Sequence, residues 1–438
     1  MVDRTKGCGV LALALLMGGS CKSSESPAPA DSGPVKGRPD GRPIELLSWW
    51  AALGQSDPVG ALIAEHAKRF PEDYVINART LLSARARSTI TARMMSGEPP
   101  DVFQCNVGYD MRQWVSGDGV GDRDSKLARL DEIFPELWKA VPSKLLDYIS
   151  YQGKLYGVPA TVHRLNAMFF NKAVLAAYGL APPASVTDLK AAGRKLHAAG
   201  IPLFAINGKE PWQLGQLVFE DLIIAREGPD FYRSYFGGAE RPDDPRIVKM
   251  LEEALELLLY ANTDWQDRSF LDASDMVAQG KAAISVGGDW MTVYYAPDGL
   301  TEESPIGEAA FPGTETTFLF TSDLFSLPVR AKNPAGAKRF LSTVISAEAQ
   351  RVLAKVKGCI SPRTDVNDAG ATAIQRQKAE LLRNGDLVLA LSGMVPKQFH
   401  DDVSWALIDM AKQRKIEPAL QMLRSRYHLL VDQNEVKW

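Results

Sequence analysis

From Ile44 onward the chain alternates short apolar runs with segments of helical periodicity, and this alternation narrows the possible folds more than any other feature. Ile44-Glu45-Leu46-Leu47-Ser48-Trp49-Trp50 reads as a buried strand. Ser56 can cap a helix with Pro58 in its first turn, and Val59, Leu62, Ile63 and Phe70 share one face of it. A second strand is expected over 74–78, a helix over 80–95 stopped by Gly97 to Pro100, and a third strand over 101–105. The order β-α-β-α-β favours a parallel sheet with helices on both faces.

A second region of the same kind starts near Val162. Residues 164–170 look like a strand. Thr187 can cap a helix carrying Leu189, Ala192 and Leu196, ended by Gly200. Residues 202–206 again look like a strand. Residues 245–260 form an amphipathic helix with Ile247, Val248, Leu251, Leu255, Leu258 and Leu259 on its apolar face. Residues 281–286 give a short strand that ends at Gly287-Gly288-Asp289-Trp290. Beyond Phe318 the order is strand, helix, helix, and the C-terminal quarter is mostly helical. At 438 residues the chain exceeds one ordinary core. Two α/β regions of similar size suggest two lobes.

The N-terminal segment has a different character. Arg4 and Lys6 precede a short apolar run over 10–17, followed by Gly18-Gly19-Ser20-Cys21. Small residues before a cysteine resemble a bacterial lipobox, although Gly18 stands where such motifs usually carry Leu. Residues 1–21 are therefore expected to be a lipoprotein-type signal ending at a lipidated Cys21. Ordinary export with cleavage nearby stays open. Residues 22–43, rich in Ser, Pro, Gly and Ala, read as a flexible tether. The expected location is extracytoplasmic, in the periplasm, held to a bacterial membrane by the anchor. The net charge of -3 argues against nucleic acid as a partner. Cys105 and Cys359 remain in the body; they could pair in an exported protein or stay as two buried free thiols.

Several stretches, in order, resemble the extracellular solute-binding family of ABC importers, and more narrowly its glucose/mannose-binding branch. They are 47–50, Pro99-Pro100-Asp101-Val102-Phe103-Gln104, Gly153-Lys154-Leu155-Tyr156-Gly157-Val158-Pro159, His163-Arg164-Leu165-Asn166, Phe170-Asn171-Lys172, Gln279-Gly280-Lys281-Ala282-Ala283, Gly288-Asp289-Trp290, Ser322-Asp323-Leu324-Phe325 and Lys357-Gly358. The resemblance implies an α/β, type II periplasmic-binding-protein-like fold with two discontinuous lobes joined by a hinge. The N-terminal lobe would hold 44–158 and 304–355, and the C-terminal lobe 159–303 and 356–438. It also implies a monomer that captures a sugar between its lobes and delivers it to the membrane permease of an importer. No cofactor, metal or catalysis is implied.

A pyranose offers an apolar face and a rim of hydroxyls, so its pocket needs an aromatic plate with donors and acceptors around it. Trp49 and Trp50 end the first strand and face opposite ways, so one is expected to meet the cleft. Gln104 ends the third strand. Asn106 stands where the branch tends to carry His. His163 and Asn166 follow the hinge motif. Trp212 and Trp265, in loop-like segments, are alternative plates. Asp289 follows two glycines that let the backbone approach a ligand closely. Lys357 enters from the second hinge region, and Ser392 replaces a branch His. Each of these residues could instead be structural. A secreted glycan-processing enzyme with two carboxylates flanking a glycosidic bond, or a lipid-anchored sensor or scaffold, remains an alternative. On the sugar-binding reading, Asp289→Ala weakens sugar binding at least about tenfold in calorimetry, with little change in the unliganded melting temperature.

Overall fold

The computed structural model describes residues 42–50, 57–77, 83–115, 125–366 and 372–434, with no side-chain placement for 83, 84, 138 and 432–434. The signal segment, Cys21, most of the tether, the Ser56 cap and the helix start at Thr80 lie outside the described residues.

The first sheet begins as expected. β1 (Ile44–Leu47) lies between β2 (Val75–Asn77) and β3 (Val102–Asn106), parallel to both. Helix Pro58–Arg69 connects β1 to β2. Its cap is Asp57, whose carboxylate accepts the Gly60 N–H at 3.0 Å, and Pro58 fills the position that needs no donor. Two strands from elsewhere then extend the sheet. β12 (Asp323–Ser326) runs antiparallel to β3, and β6 (Val158–Pro159) runs antiparallel to β12. The order β2-β1-β3-β12-β6 makes a mixed sheet. Leu46, Leu62, Phe103, Phe325 and Phe340 are buried in its core. A small hairpin of β4 (Ser150–Tyr151) and β5 (Lys154–Leu155) precedes β6.

The expected strand over 164–170 is two strands with a break at Leu165-Asn166. β7 (His163–Arg164) pairs with β11 (Thr317–Thr321), which also pairs in parallel with β13 (Asp386–Leu389). β8 (Ala167–Asn171) is the centre of another sheet, between β9 (Ile284–Gly287) and β10 (Ile306–Ala310). The Asn166 side chain explains the break. It is fully buried, accepts from Leu319 N (3.2 Å) and Arg164 Nε (3.2 Å), and donates to the carbonyls of Thr314 and Thr317 (both 3.1 Å). Those bonds hold the chain where it passes from one sheet to the next.

β10 pairs along its whole length with β8, and Phe311 belongs to the same apolar cluster as Phe204, Phe219 and Leu251. Residues 306–310 therefore pair with β8, in the same sheet as β9.

Other local expectations shift for identifiable reasons. Helix Val186–Ala198 is capped by Ser185, whose hydroxyl accepts the Asp188 N–H at 3.0 Å, so Thr187 lies inside the first turn. Residues 202–206 make only isolated bridges, from Phe204 to Ala261 and Ile284. Pro202 has no N–H, and the Asn262 side chain takes the Ile206 N–H at 2.8 Å, which closes the ladder at both ends. Helix Pro245–Leu258 buries Ile247, Met250, Leu251, Ala254, Leu257 and Leu258, while Leu259 lies past its end and is exposed. Trp212 stands in no loop; it opens helix Trp212–Gly215, which continues as a π-helical stretch, Gln216–Leu222. Cys105 and Cys359 are both buried and unpaired.

Candidate functional site

The carboxyl ends of β1 and β3 bring polar side chains into the interior. Gln104 is buried; its Oε1 accepts from Ser48 Oγ (2.5 Å) and Trp49 N (3.2 Å), and its Nε2 donates to Asp323 Oδ1 at 2.7 Å. Trp50 is buried edge-on to Phe325 and donates its indole N–H to Asp323 Oδ2 at 3.1 Å. Thr161 donates to the same oxygen at 2.8 Å. With its amide turned as its neighbours require, Asn106 donates to Asp323 Oδ1 and accepts from Arg87 Nη2, both at 3.1 Å. Arg87 pairs with Asp110 and lies 4.2 Å over the Trp49 ring, covering that face of the indole. Asp323 is thus the acceptor on which this half of the network converges. Burial acts to raise its pKa. The nearby His163 imidazole, the Lys357 charge and the Thr161 hydroxyl outweigh burial and hold the carboxyl below its ordinary range.

The second half meets it at His163. His163 Nδ1 lies 2.6 Å from Asp289 Oδ1, and Nε2 lies 3.5 Å from Asp323 Oδ2 without a well-aligned hydrogen bond. Asp289 Oδ2 accepts the Arg164 N–H at 3.2 Å and lies 3.8 Å from Lys378 Nζ, which pairs with Glu308 at 2.5 Å. Trp290 stands edge-on to His163, with centroids 5.3 Å apart, and Trp212 packs against Trp290 at 6.0 Å. Lys357, at the end of helix Ala347–Lys357, holds its ammonium 5.0 Å from the Trp50 ring.

Ser392 sits half-buried in the short helix Leu391–Met394. That helix meets helix Tyr109–Arg112 backbone to backbone. Gly108 has φ +83°, and a Cβ there would stand 2.2 Å from the Gly393 carbonyl oxygen. Behind it, Glu220 in the π-helical stretch accepts the Leu391 N–H at 2.6 Å. Burial pushes the Glu220 carboxyl up to about 7, against the Leu391 hydrogen bond, and raises its neighbour Asp221 well above the ordinary range.

The structure thus brings together Trp50, Gln104, Asn106, His163 and Asp289, with Trp49 and Lys357 at the margin. It sets two residues apart. The Asn166 amide is taken up by the backbone of residues 314–319 and by the Arg164 and Thr314 side chains. Trp265 is a core residue of the second lobe, pressed on Gly208, where a Cβ would come within 2.8 Å of the indole. Trp212 reaches the network only through Trp290. The sequence reading missed Asp323, Trp290, Thr161 and Arg87. Asp323 and Trp290 lay inside stretches already singled out, and an acid amid apolar residues was the available signal. Because Asp289 is fully buried on His163, Asp289→Ala would leave an imidazole unpartnered. The structure therefore changes one expectation: the unliganded melting temperature should fall as well.

A cavity of about 20 Å³, lined by Trp49, Arg87, Gln104, Asp110, Trp114 and Lys397, borders the network and has room for about one water. A hollow of about 220 Å³ lies elsewhere, among Ile133, Phe134, Leu137, Ile345 and Arg363, with few convergent polar groups.

Two α/β lobes whose buried polar groups meet at a hinge define a two-lobed binding protein. The family model for bacterial extracellular solute-binding proteins matches residues 62–351, and the chain belongs to that family, one of binding proteins and not of enzymes. It is 28% identical over 421 residues to an uncharacterised ABC transporter extracellular-binding protein of Pyrococcus horikoshii, covering 94% of this chain and 92% of that one. It is 27% identical to a probable sugar-binding periplasmic protein of Brucella suis, covering 78% and 80%. Among solved structures it resembles the bacterial solute receptor AcbH, described as preferring β-D-galactopyranose. The TM-score is 0.77 at 18% identity, covering 90% of this chain and 99% of that one.

The Glu220 shift has a definite sign. Its carboxyl holds a proton more tightly folded than unfolded (about 7 against 4.5), so its contribution to stability is complete below pH 4.5 and is lost as pH rises through about 7. Glu220→Gln mimics the protonated form at every pH. Its stability relative to the parent should rise by on the order of 3 kcal/mol between about pH 4.5 and about pH 8 in urea titrations. A gap that does not change with pH would contradict the burial argument.

Proposed function

We propose that the protein is the extracytoplasmic sugar-capturing component of an ABC importer, closing its two lobes over a small carbohydrate. The observation that carries this reading is the meeting of indoles and carboxylates from both lobes, with amides from the first, around Asp323, His163 and Asp289. Such a set supplies what a pyranose needs: apolar plates, two-sided amides and charged acceptors for hydroxyl pairs. The names of the Brucella relative and of AcbH point the same way. A neutral hexose of the glucose/mannose type is the ligand we favour. Asn106 and Ser392, where the glucose/mannose branch carries His, would change which hydroxyls are read. Trp50, Gln104, Asn106, Asp289, Trp290 and Lys357 are the proposed contacts.

The polar groups of the network are buried on one another, so admission of a sugar would require the lobes to open and then close on it. Closure would present both lobes to the permease. Among the described residues no helix is long and apolar enough to cross a membrane. Attachment would come from a lipid on Cys21, with residues 22–43 as the spacer.

A thermal-shift series over monosaccharides and disaccharides tests the reading. The matching sugar at 100 times its dissociation constant should add about 2.7 kcal/mol of stability. A flat response across the series, or turnover of chromogenic glycosides, would defeat it. Cys21→Ser should move the protein from the membrane fraction to the soluble extracytoplasmic fraction; unchanged partition would refute the anchor.

A further inference from the structure

The side chain of His163 has an acid at each end, and the two acids belong to different lobes. Asp289 follows β9 in the second lobe, and Asp323 opens β12 in the first. His163 itself sits on β7, which pairs with β11 at the junction. Its ring is buried and packs perpendicular to Trp290, with centroids 5.3 Å apart. The Nδ1 contact to Asp289 is short, at 2.6 Å, whereas the Nε2 contact to Asp323 is 3.5 Å and poorly aligned. The other bonds to Asp323 described above come from Trp50, Gln104, Thr161 and the turned amide of Asn106. Those to Asp289 come from Arg164 and, at longer range, Lys378.

We infer that His163 is a positioning residue and not a sugar contact: it sets the spacing of the Asp289 and Asp323 carboxylates across the hinge, and its Nε2–Asp323 contact is the latch that parts when the lobes open. The physical basis is direct. Two carboxylates in a dry interior repel, and the imidazole wedged between them, bonded to Asp289, fixes their spacing. Opening must separate Asp289 from Asp323. The longer, misaligned Nε2 contact yields first, and His163 leaves with Asp289. Asp323 in turn orients the indole of Trp50 and the amide of Gln104, so loss of the latch loosens contacts that His163 does not touch. The inference rests on the cleft being the ligand site.

The test uses His163→Phe, which keeps the bulk without donors, and His163→Gln, which keeps one donor. Binding of D-glucose, D-mannose and D-galactose is measured by calorimetry. His163→Phe should weaken the bound hexose at least about tenfold, with His163→Gln recovering part of the loss, while both still unfold cooperatively. Combined with Asp323→Asn, His163→Phe should cost clearly less than the product of the two single losses, because the two groups act as one unit. Hexose affinity within about twofold of the parent, equal losses in Phe and Gln, or losses that multiply would each overturn the latch. A second readout needs no sugar. Exchange of the Trp50 indole proton, followed by NMR, should be at least about tenfold faster in ligand-free His163→Phe. Unchanged exchange would overturn the inference. Failure of all three hexoses to bind the parent would instead count against the ligand we favour and leave the exchange result to decide.

Discussion

A carboxylate removed from water must be given donors, and the arrangement around Asp323 follows from that demand. The acid lies at the start of β12, the strand that enters the first sheet from far along the chain. Its two oxygens draw in the Trp50 indole, the Gln104 amide and the Thr161 hydroxyl, and His163 stands close beyond them. Each partner is held by another bond or packing contact: Gln104 by Ser48 and the Trp49 N–H, Trp50 by Phe325, His163 by Asp289. One buried charge therefore orders the ends of β1, β3, β7 and β12 at once. The same donors keep the carboxyl ionised, whereas Glu220 and Asp221, buried with fewer partners, are pushed toward the protonated form.

The lobes are discontinuous because their sheets are completed by late segments. β12 and β6 finish the first sheet, β10 finishes the second, and β11 and β13 form a third with β7. Each crossing puts a segment of one lobe against the other, and side chains at the crossings carry the joints. Asn166 holds the turn between β7 and β8 to residues 314–319. Gly108 and Gly393 let two helix ends touch without side chains. Movement of one lobe on the other would work through joints of this kind.

The sequence was legible where one residue's environment is local. The apolar run of β1, the amphipathic helix Pro245–Leu258 and the hinge-side motif around His163 could all be read from period and punctuation. It was less legible where a partner arrives from a distance. The cap of helix Val186–Ala198 moved by two residues because Ser185 competes equally well with Thr187 for the orphan N–H groups. Residues 202–206 have a strand's composition, but a side chain 56 positions away from Ile206 ends their ladder. Trp265 and Trp212 share a chemistry that suits core and pocket alike, and only packing separates them.

Alternating apolar strands and amphipathic helices determined that the chain would be a two-region α/β protein, because periodicity is a local property that survives without tertiary contact. The motifs Gly288-Asp289-Trp290 and Ser322-Asp323 marked where polar groups interrupt apolar strands. Tertiary structure decided which polar groups face one another: β10 against β8, Asp323 beneath Trp50, and His163 between two acids 126 and 160 residues away. No local rule carries that information. Pairings across such distances are selected by how well whole faces pack, and the cost of an unpartnered buried charge then settles which side chains must meet.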